Sequence, residues 1–319
     1  MYTDNRMNIE KIKDFDAIIY HGPCSDGTGG LWCASHYKPI KTKFACKAGI
    51  KPTGDYTGMN VIFVDICPKI DYLLEFVKIA KYVVILDHHK SSQQMIEDNK
   101  EVLDTIPNLL IEFDMDRSGC QMAWDYFFES QPRPFFIDYI GDRDLWTWKL
   151  PDSKVVNTAL FDLGYIDSYN LAKMTGLMED SETKLKELKT IGTLIESTNR
   201  RQVDIGISNA IEASMKSNDE NKTYRIWLAG NVNPALRSEL GNELCFKPFK
   251  DGTMPNFSAT WQYDPKSDEW WISLRGVPSR SPDLSVLASN FGGGGHPMAS
   301  GITIKSKPNS QGLKEVFMY

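Results

Sequence analysis

The chain of 319 residues has no CxxC pair, no basic stripe, no internal repeat and no low-complexity tract. None of its apolar runs approaches the roughly 20 residues that a membrane-spanning helix needs. Each absence excludes a class. Six cysteines (Cys24, Cys33, Cys46, Cys67, Cys120, Cys245) stand apart from one another, which argues against a structural zinc site and reads as reduced thiols. Residues 1–14 are mostly polar and do not read as a signal peptide, so a cytoplasmic protein with no membrane partner is expected. A net charge of −6 without a basic stripe disfavours a long nucleic-acid partner and favours small substrates. With 41% hydrophobic and 24% charged residues, the composition is that of a globular chain rather than a disordered one.

What is present is an alternation of strand-like and helix-like segments. Phe15–Tyr20, Val61–Val64, Tyr82–Leu86 and Leu109–Phe113 are near-continuous apolar runs, as strands buried on both faces require. Gly29–Tyr37, Ile70–Ala80 and Ser118–Phe128 between them have helical spacing, so a doubly wound, mostly parallel α/β domain is expected over 1–180. Leu185, Leu188, Ile191, Leu194 and Ile195 recur at three- and four-residue intervals, which predicts a linker helix within 181–220. Tyr224–Ala229, Ser258–Tyr263 and Trp270–Arg275 read as strands of a smaller mixed α/β domain over 221–319, the last two joined by a DPKSD hairpin turn.

Polar clusters follow the apolar runs of the first domain. YHGPCSDG carries His21, Cys24 and Asp26; VIFVD ends on Asp65; VVILDHHK supplies Asp87, His88 and His89; YIGDRDLW supplies Asp142 and Asp144. Ligands of open α/β sheets bind beyond the carboxyl ends of the strands, so four such ends would gather these groups if the strand order makes them neighbours. Mixed imidazole and carboxylate donors suit manganese, iron, cobalt or zinc, with magnesium where carboxylates dominate. Two divalent ions roughly 3.5–4 Å apart would activate a water and stabilise in-line attack at phosphorus. Further on, NFGGGGHPMASG offers glycine N–H groups and His296 to a phosphate, or is simply a flexible loop. Arg275 in SLRG is either a phosphate clamp or a surface ion pair. Trp146, Trp148, Trp261, Trp270 and Trp271 are base-stacking or packing residues, and Ser118–Cys120 is an anion-binding helix start or an ordinary one.

The ordered set YHGPCSDG, VDICP, LDHHK, IGDRDLW and GGGGHPMASG resembles the DHH phosphoesterase superfamily with its DHH-associated C-terminal domain, over about Ala17 to Gly301. RecJ-type exonucleases, nano-RNases and cyclic-dinucleotide phosphodiesterases share this pattern, whereas manganese-dependent pyrophosphatases carry a different second domain. The resemblance implies two divalent ions, manganese first and magnesium, cobalt or zinc next. It implies metal ligands at His21, Cys24, Asp26, Asp65, His88 and Asp142, with Asp65 bridging and Asp87 orienting the histidines. It implies a catalytic set of Asp26, Asp65, His88 and His89, and a substrate-binding set of Arg275, Gly293, Gly294, Gly295 and His296. Cys24 departs from the pattern, standing where the superfamily usually has Asp: a thiolate would suit a softer metal, or the residue is a small buried one. The implied activity is hydrolysis of short oligonucleotides or linear or cyclic dinucleotides to nucleoside monophosphates. A RecJ-type exonuclease, a 3′-phosphoadenosine 5′-phosphate phosphatase, a polyphosphate hydrolase and a catalytically weak nucleotide-binding regulator are the alternatives. Association of identical copies is compatible with all of them.

Overall fold

The structure, a computed structural model, describes residues 12–217, 222–305 and 312–318. It divides into two compact units, Met1–Glu196 and Ser197–Tyr319. The first is built on five parallel strands, β1 (Ala17–His21), β2 (Thr42–Cys46), β3 (Asn60–Val64), β4 (Tyr82–Asp87) and β5 (Leu109–Phe113), in the order β2-β1-β3-β4-β5. Along these strands the side chains alternate between two cores. Ile18, Tyr20, Ile62, Val64, Val84 and Leu86 pack on one face with residues of the helices Ser25–Tyr37, Gly119–Phe128, Phe135–Asp144 and Ser153–Asp162. Ala17, Ile19, Val61, Phe63, Val83 and Ile85 pack on the other with Leu73 and Phe76 of the helix Ile70–Ile79. Burial on both faces is why these strands read as unbroken apolar runs. The expected α/β class with a mostly parallel sheet is the fold observed.

Strand β1 is followed on one side by β2 and on the other by β3, so the sheet reverses direction between β1 and β3. That is the topological switch point of a 2-1-3-4-5 sheet, where the two crossovers leave a crevice at the carboxyl edge. His21 ends β1, Asp65 follows β3 and Asp87 ends β4, on three consecutive strands. The fourth motif is different. Residues 135–144 form a helix rather than a strand, so Asp142 and Asp144 come to the sheet from a helix end.

The helix expected near 181–210 spans Ser181–Asn209, and the division between the units falls inside it. The second unit has a seven-stranded sheet ordered β10-β11-β9-β8-β7-β6-β12. Its strands are β6 (Ile211–Lys216), β7 (Thr223–Gly230), β8 (Phe257–Asp264), β9 (Glu269–Gly276), β10 (Gly294–His296), β11 (Ala299–Lys305) and β12 (Phe317–Met318). Among the described residues of this sheet, only β7 and β8 pair in parallel. The DPKSD segment closes the β8–β9 hairpin, as expected. Leu236, Leu240 and Leu244, on and just before the helix Arg237–Cys245, pack with Trp227 and Ala229 on one side, while Leu284 and Leu287 join the core on the other.

Candidate metal centre

Asp65 is the hub. It sits one residue past β3 with φ 61°, a left-handed backbone uncommon for a residue other than glycine, and its amide donates to the Leu86 carbonyl at 2.9 Å. Strain of this kind persists where the surroundings over-determine it. Its side chain is 2% exposed, with Oδ1 3.2 Å from His88 Nε2 and Oδ2 3.3 Å from His21 Nδ1. Among the described residues two groups of three could hold an ion: His21, Asp65 and His89, and Asp26, Asp65 and His88, with one donor atom of each within 4.8 Å of the others. Asp65 belongs to both.

The remaining side chains are fixed from behind. Asp87 Oδ1 accepts from the amides of His88 and His89 and lies 2.6 Å from His89 Nδ1. The carboxylate can only accept, so Nδ1 is the donor and the lone pair is on Nε2. Asp26, fully buried in the first turn of the helix Ser25–Tyr37, accepts from the amides of Gly119 and Cys120 at 2.6 and 2.9 Å. The positive end of the helix Gly119–Phe128 is thus occupied by the protein's own carboxylate rather than by a ligand. A Cβ on Gly119 would lie 2.5 Å from that of Asp65, so only glycine lets this helix approach so closely.

Charge is concentrated here. Burial alone would depress the His88 imidazole, but the Asp65 hydrogen bond and the Asp26 and Asp144 charges raise it to about 10. His89 is likewise raised to about 9, burial being overcome by Asp87. Burial and the neighbouring Asp26 raise Asp144 to about 7, while Asp65, despite its burial, is pushed down by the His21 and His88 imidazoles beside it. Three buried atoms of the cluster, His21 Nδ1, Asp65 Oδ2 and Asp87 Oδ2, make no well-formed hydrogen bond among the described residues. Orphaned donors of both kinds among excess carboxylates are what a divalent cation would satisfy, and the residues fit such an ion.

Of the sequence-derived metal ligands, His21, Asp26, Asp65 and His88 come together. Cys24 lies outside both groups of three, although burial and then the charges of Asp65, Asp144 and Asp26 raise its thiol well above the usual range. Asp142 is spent elsewhere. Its carboxylate accepts from the Thr147 hydroxyl and from the amides of Lys149 and Leu150 at 2.8 and 3.1 Å. The fourth acid at the cluster is Asp144, whose Oδ2 lies 3.3 Å from His88 Nε2.

In the second unit, His296 pairs with Ala299 and Ala299 with Arg275, so the three side chains share one face of the sheet with the smallest in the middle. Arg275 donates to Ser273 Oγ, the Leu274 carbonyl and Ser238 Oγ; burial and the nearby Arg237 lower it to about 10. The glycine run is not an open loop. The amides of Gly292 and Gly293 bond to Ser289 and Ala288 carbonyls, and Gly294 and Gly295 enter β10. Gly295 has φ 141°, and a Cβ there would meet the Ala299 carbonyl oxygen at 2.6 Å.

No family model matches the chain. It is 31% identical over 333 residues to the uncharacterized protein R106 of Acanthamoeba polyphaga mimivirus, covering 95% of this chain and 72% of that one. The chain belongs to the family of that viral protein. Among solved structures, a pGpG-specific phosphodiesterase of Vibrio cholerae is 13% identical, covering 91% of this chain and 93% of that one, at a TM-score of 0.41. An exopolyphosphatase-related protein of Bacteroides fragilis is 14% identical, covering 96% and 92%, at 0.40. Likeness at this level says nothing of activity. No helix of the described residues is long and apolar enough to cross a membrane.

Sequence reading missed Asp144 as the better-placed acid, and also Ser238 and Arg237 beside Arg275. The DRD spelling could have flagged Asp144; nothing in the sequence brings residues 237 and 238 to Arg275.

Proposed function

We propose that the chain is a DHH-type phosphoesterase that uses two divalent ions to hydrolyse short oligonucleotides or dinucleotides to nucleoside monophosphates. The observation that carries this reading is the membership of Asp65 in both groups of three, which is what a ligand shared by two ions requires. His21 and His89 would complete one ion's protein ligands; Asp26 and His88 would complete the other's. Oxygen and nitrogen donors without sulfur fit manganese, magnesium or cobalt at least as well as zinc. Such a pair supplies Lewis acidity to the phosphoryl group and to the attacking water.

The chain's own residues do the rest. Asp87 fixes the His89 ring, the Gly119–Phe128 helix start fixes Asp26, and Asp144 supplies the acid that the resemblance assigned to Asp142. Arg275 and His296, both facing over Ala299, would grip a substrate phosphate. Product analysis with manganese tests the proposal, offering 2- to 20-nucleotide strands, cyclic dinucleotides, 3′-phosphoadenosine 5′-phosphate and polyphosphate. Monophosphates released from the short nucleotides alone are expected. Processive shortening of the long strands, or release of phosphate from polyphosphate alone, would contradict it.

A further inference from the structure

The segment after the helix Phe135–Asp144 is held in a costly conformation. Trp146 and Trp148 both have left-handed backbones, with φ 56° and 51°, a region that bulky side chains rarely occupy. The conformation is imposed by Asp142. Its carboxylate binds the Thr147 hydroxyl and the Lys149 and Leu150 amides, and its carbonyl accepts from the Thr147 amide at 3.0 Å. A buried acid that accepts in this way from Thr147, Trp148, Lys149 and Leu150 is a clamp on the loop.

What the clamp displays is an aromatic pair. The rings of Trp146 and Trp148 meet edge to face, with centroids 4.8 Å apart at 74°. Trp148 is half-buried, whereas Trp146 is 38% exposed. Trp146 is two residues along the chain from Asp144, whose carboxylate lies 3.3 Å from His88 Nε2, so the loop that carries it leads directly out of the metal cluster. Arg143 holds its guanidinium 5.8 Å from the centroid of the Phe161 ring, among the charges of Asp144, Asp162 and Glu196.

The geometry points to Trp146 as a platform on which a substrate nucleobase stacks, with Trp148 bracing it from behind. This rests on the phosphoester reading of the cluster and adds to it that the substrate carries a base. Aromatic faces bind any base, so the platform confers preference for nucleotides over base-free phosphates without selecting a sequence.

The test is calorimetric titration of the manganese-loaded protein with adenosine 5′-monophosphate and with ribose 5-phosphate. The wild type should bind the nucleotide roughly tenfold more tightly or better, Trp146→Ala should bring the two affinities together, and Trp146→Phe should keep most of the difference. A preference that survives Trp146→Ala, or a wild type that binds the nucleotide no better than the sugar phosphate, overturns the inference. Dinucleotide hydrolysis on the same preparations separates it from the functional reading. A preference that depends on Trp146 in a protein without turnover sinks the hydrolase and keeps the platform. Turnover with a preference indifferent to Trp146 sinks the platform alone.

Discussion

In the parallel sheet of the first unit, β1, β3 and β4 end side by side, and every strand end carries a metal-ligand type of side chain. In the mixed sheet of the second unit, Arg275 and His296 lie on strands separated by β11 and share a face only because of the register through Ala299. The first arrangement follows from topology: parallel strands point their carboxyl ends the same way, so a switch point collects whatever the loops carry. The second depends on pairing, where a slip of one residue would send Arg275 to the opposite face. A topological site tolerates drift in its strands; a register site does not.

The largest effect should come from the point the first unit cannot do without. Asp65→Ala should lower turnover by about a thousandfold or more, with loss of bound metal, because both ions lose a ligand. Near-wild-type rates with full metal content would break the contrast. Asp144 and Asp142 sharpen it. Asp144→Asn should weaken metal affinity by about 10–100-fold, whereas Asp142→Asn should mainly cost stability, about 1–3 kcal/mol by thermal or chemical unfolding. Equal loss of metal in both would contradict the different placement of the two acids. In the second unit, Arg275→Ala should raise KM about tenfold while metal content stays intact, since the residue holds no ion. Metal loss in that variant would overturn its assignment.

The smallest effect is one of pH on the metal-free protein. His88 and His89 are raised to about 10 and about 9 from an ordinary value of 6.5. Their protonated forms therefore stabilise the fold fully below pH 6.5, and that contribution drains away as pH climbs through 9 to 10. The Tm of the metal-free protein should fall over that range. Manganese affinity should rise over it, because the ion competes with fewer protons. A metal-free Tm that climbs between about pH 7 and 10 would show that the imidazoles are not held by their carboxylates as described.

Much of this was legible before the structure. β1, β3, β4 and β5 show as apolar runs because both of their faces are covered. β2, one of the two edge strands, is the short mixed segment TKFAC with Lys43 and Ala45 exposed, and β10 is three residues of a glycine run; neither shows as an apolar run. The DRD motif shows why the fourth acid was misplaced. On a strand, residues two apart share a face, so Asp142 and Asp144 would be interchangeable neighbours at a strand end. On a helix, residues two apart point in different directions. The helix Phe135–Asp144 sends Asp142 to the loop and Asp144 to His88. Cys24 could not be placed from sequence because its position depends on how the Ser25–Tyr37 helix meets β1. The structure sets it beside the cluster and outside both groups of three.

The sharing of Asp65 is most directly tested by anomalous diffraction from crystals of the manganese-loaded protein. Two peaks roughly 3.5–4 Å apart, one beside His21 and His89 and the other beside Asp26 and His88 with Asp65 between them, are the result expected. A single peak, or two peaks that do not share Asp65, would contradict the account.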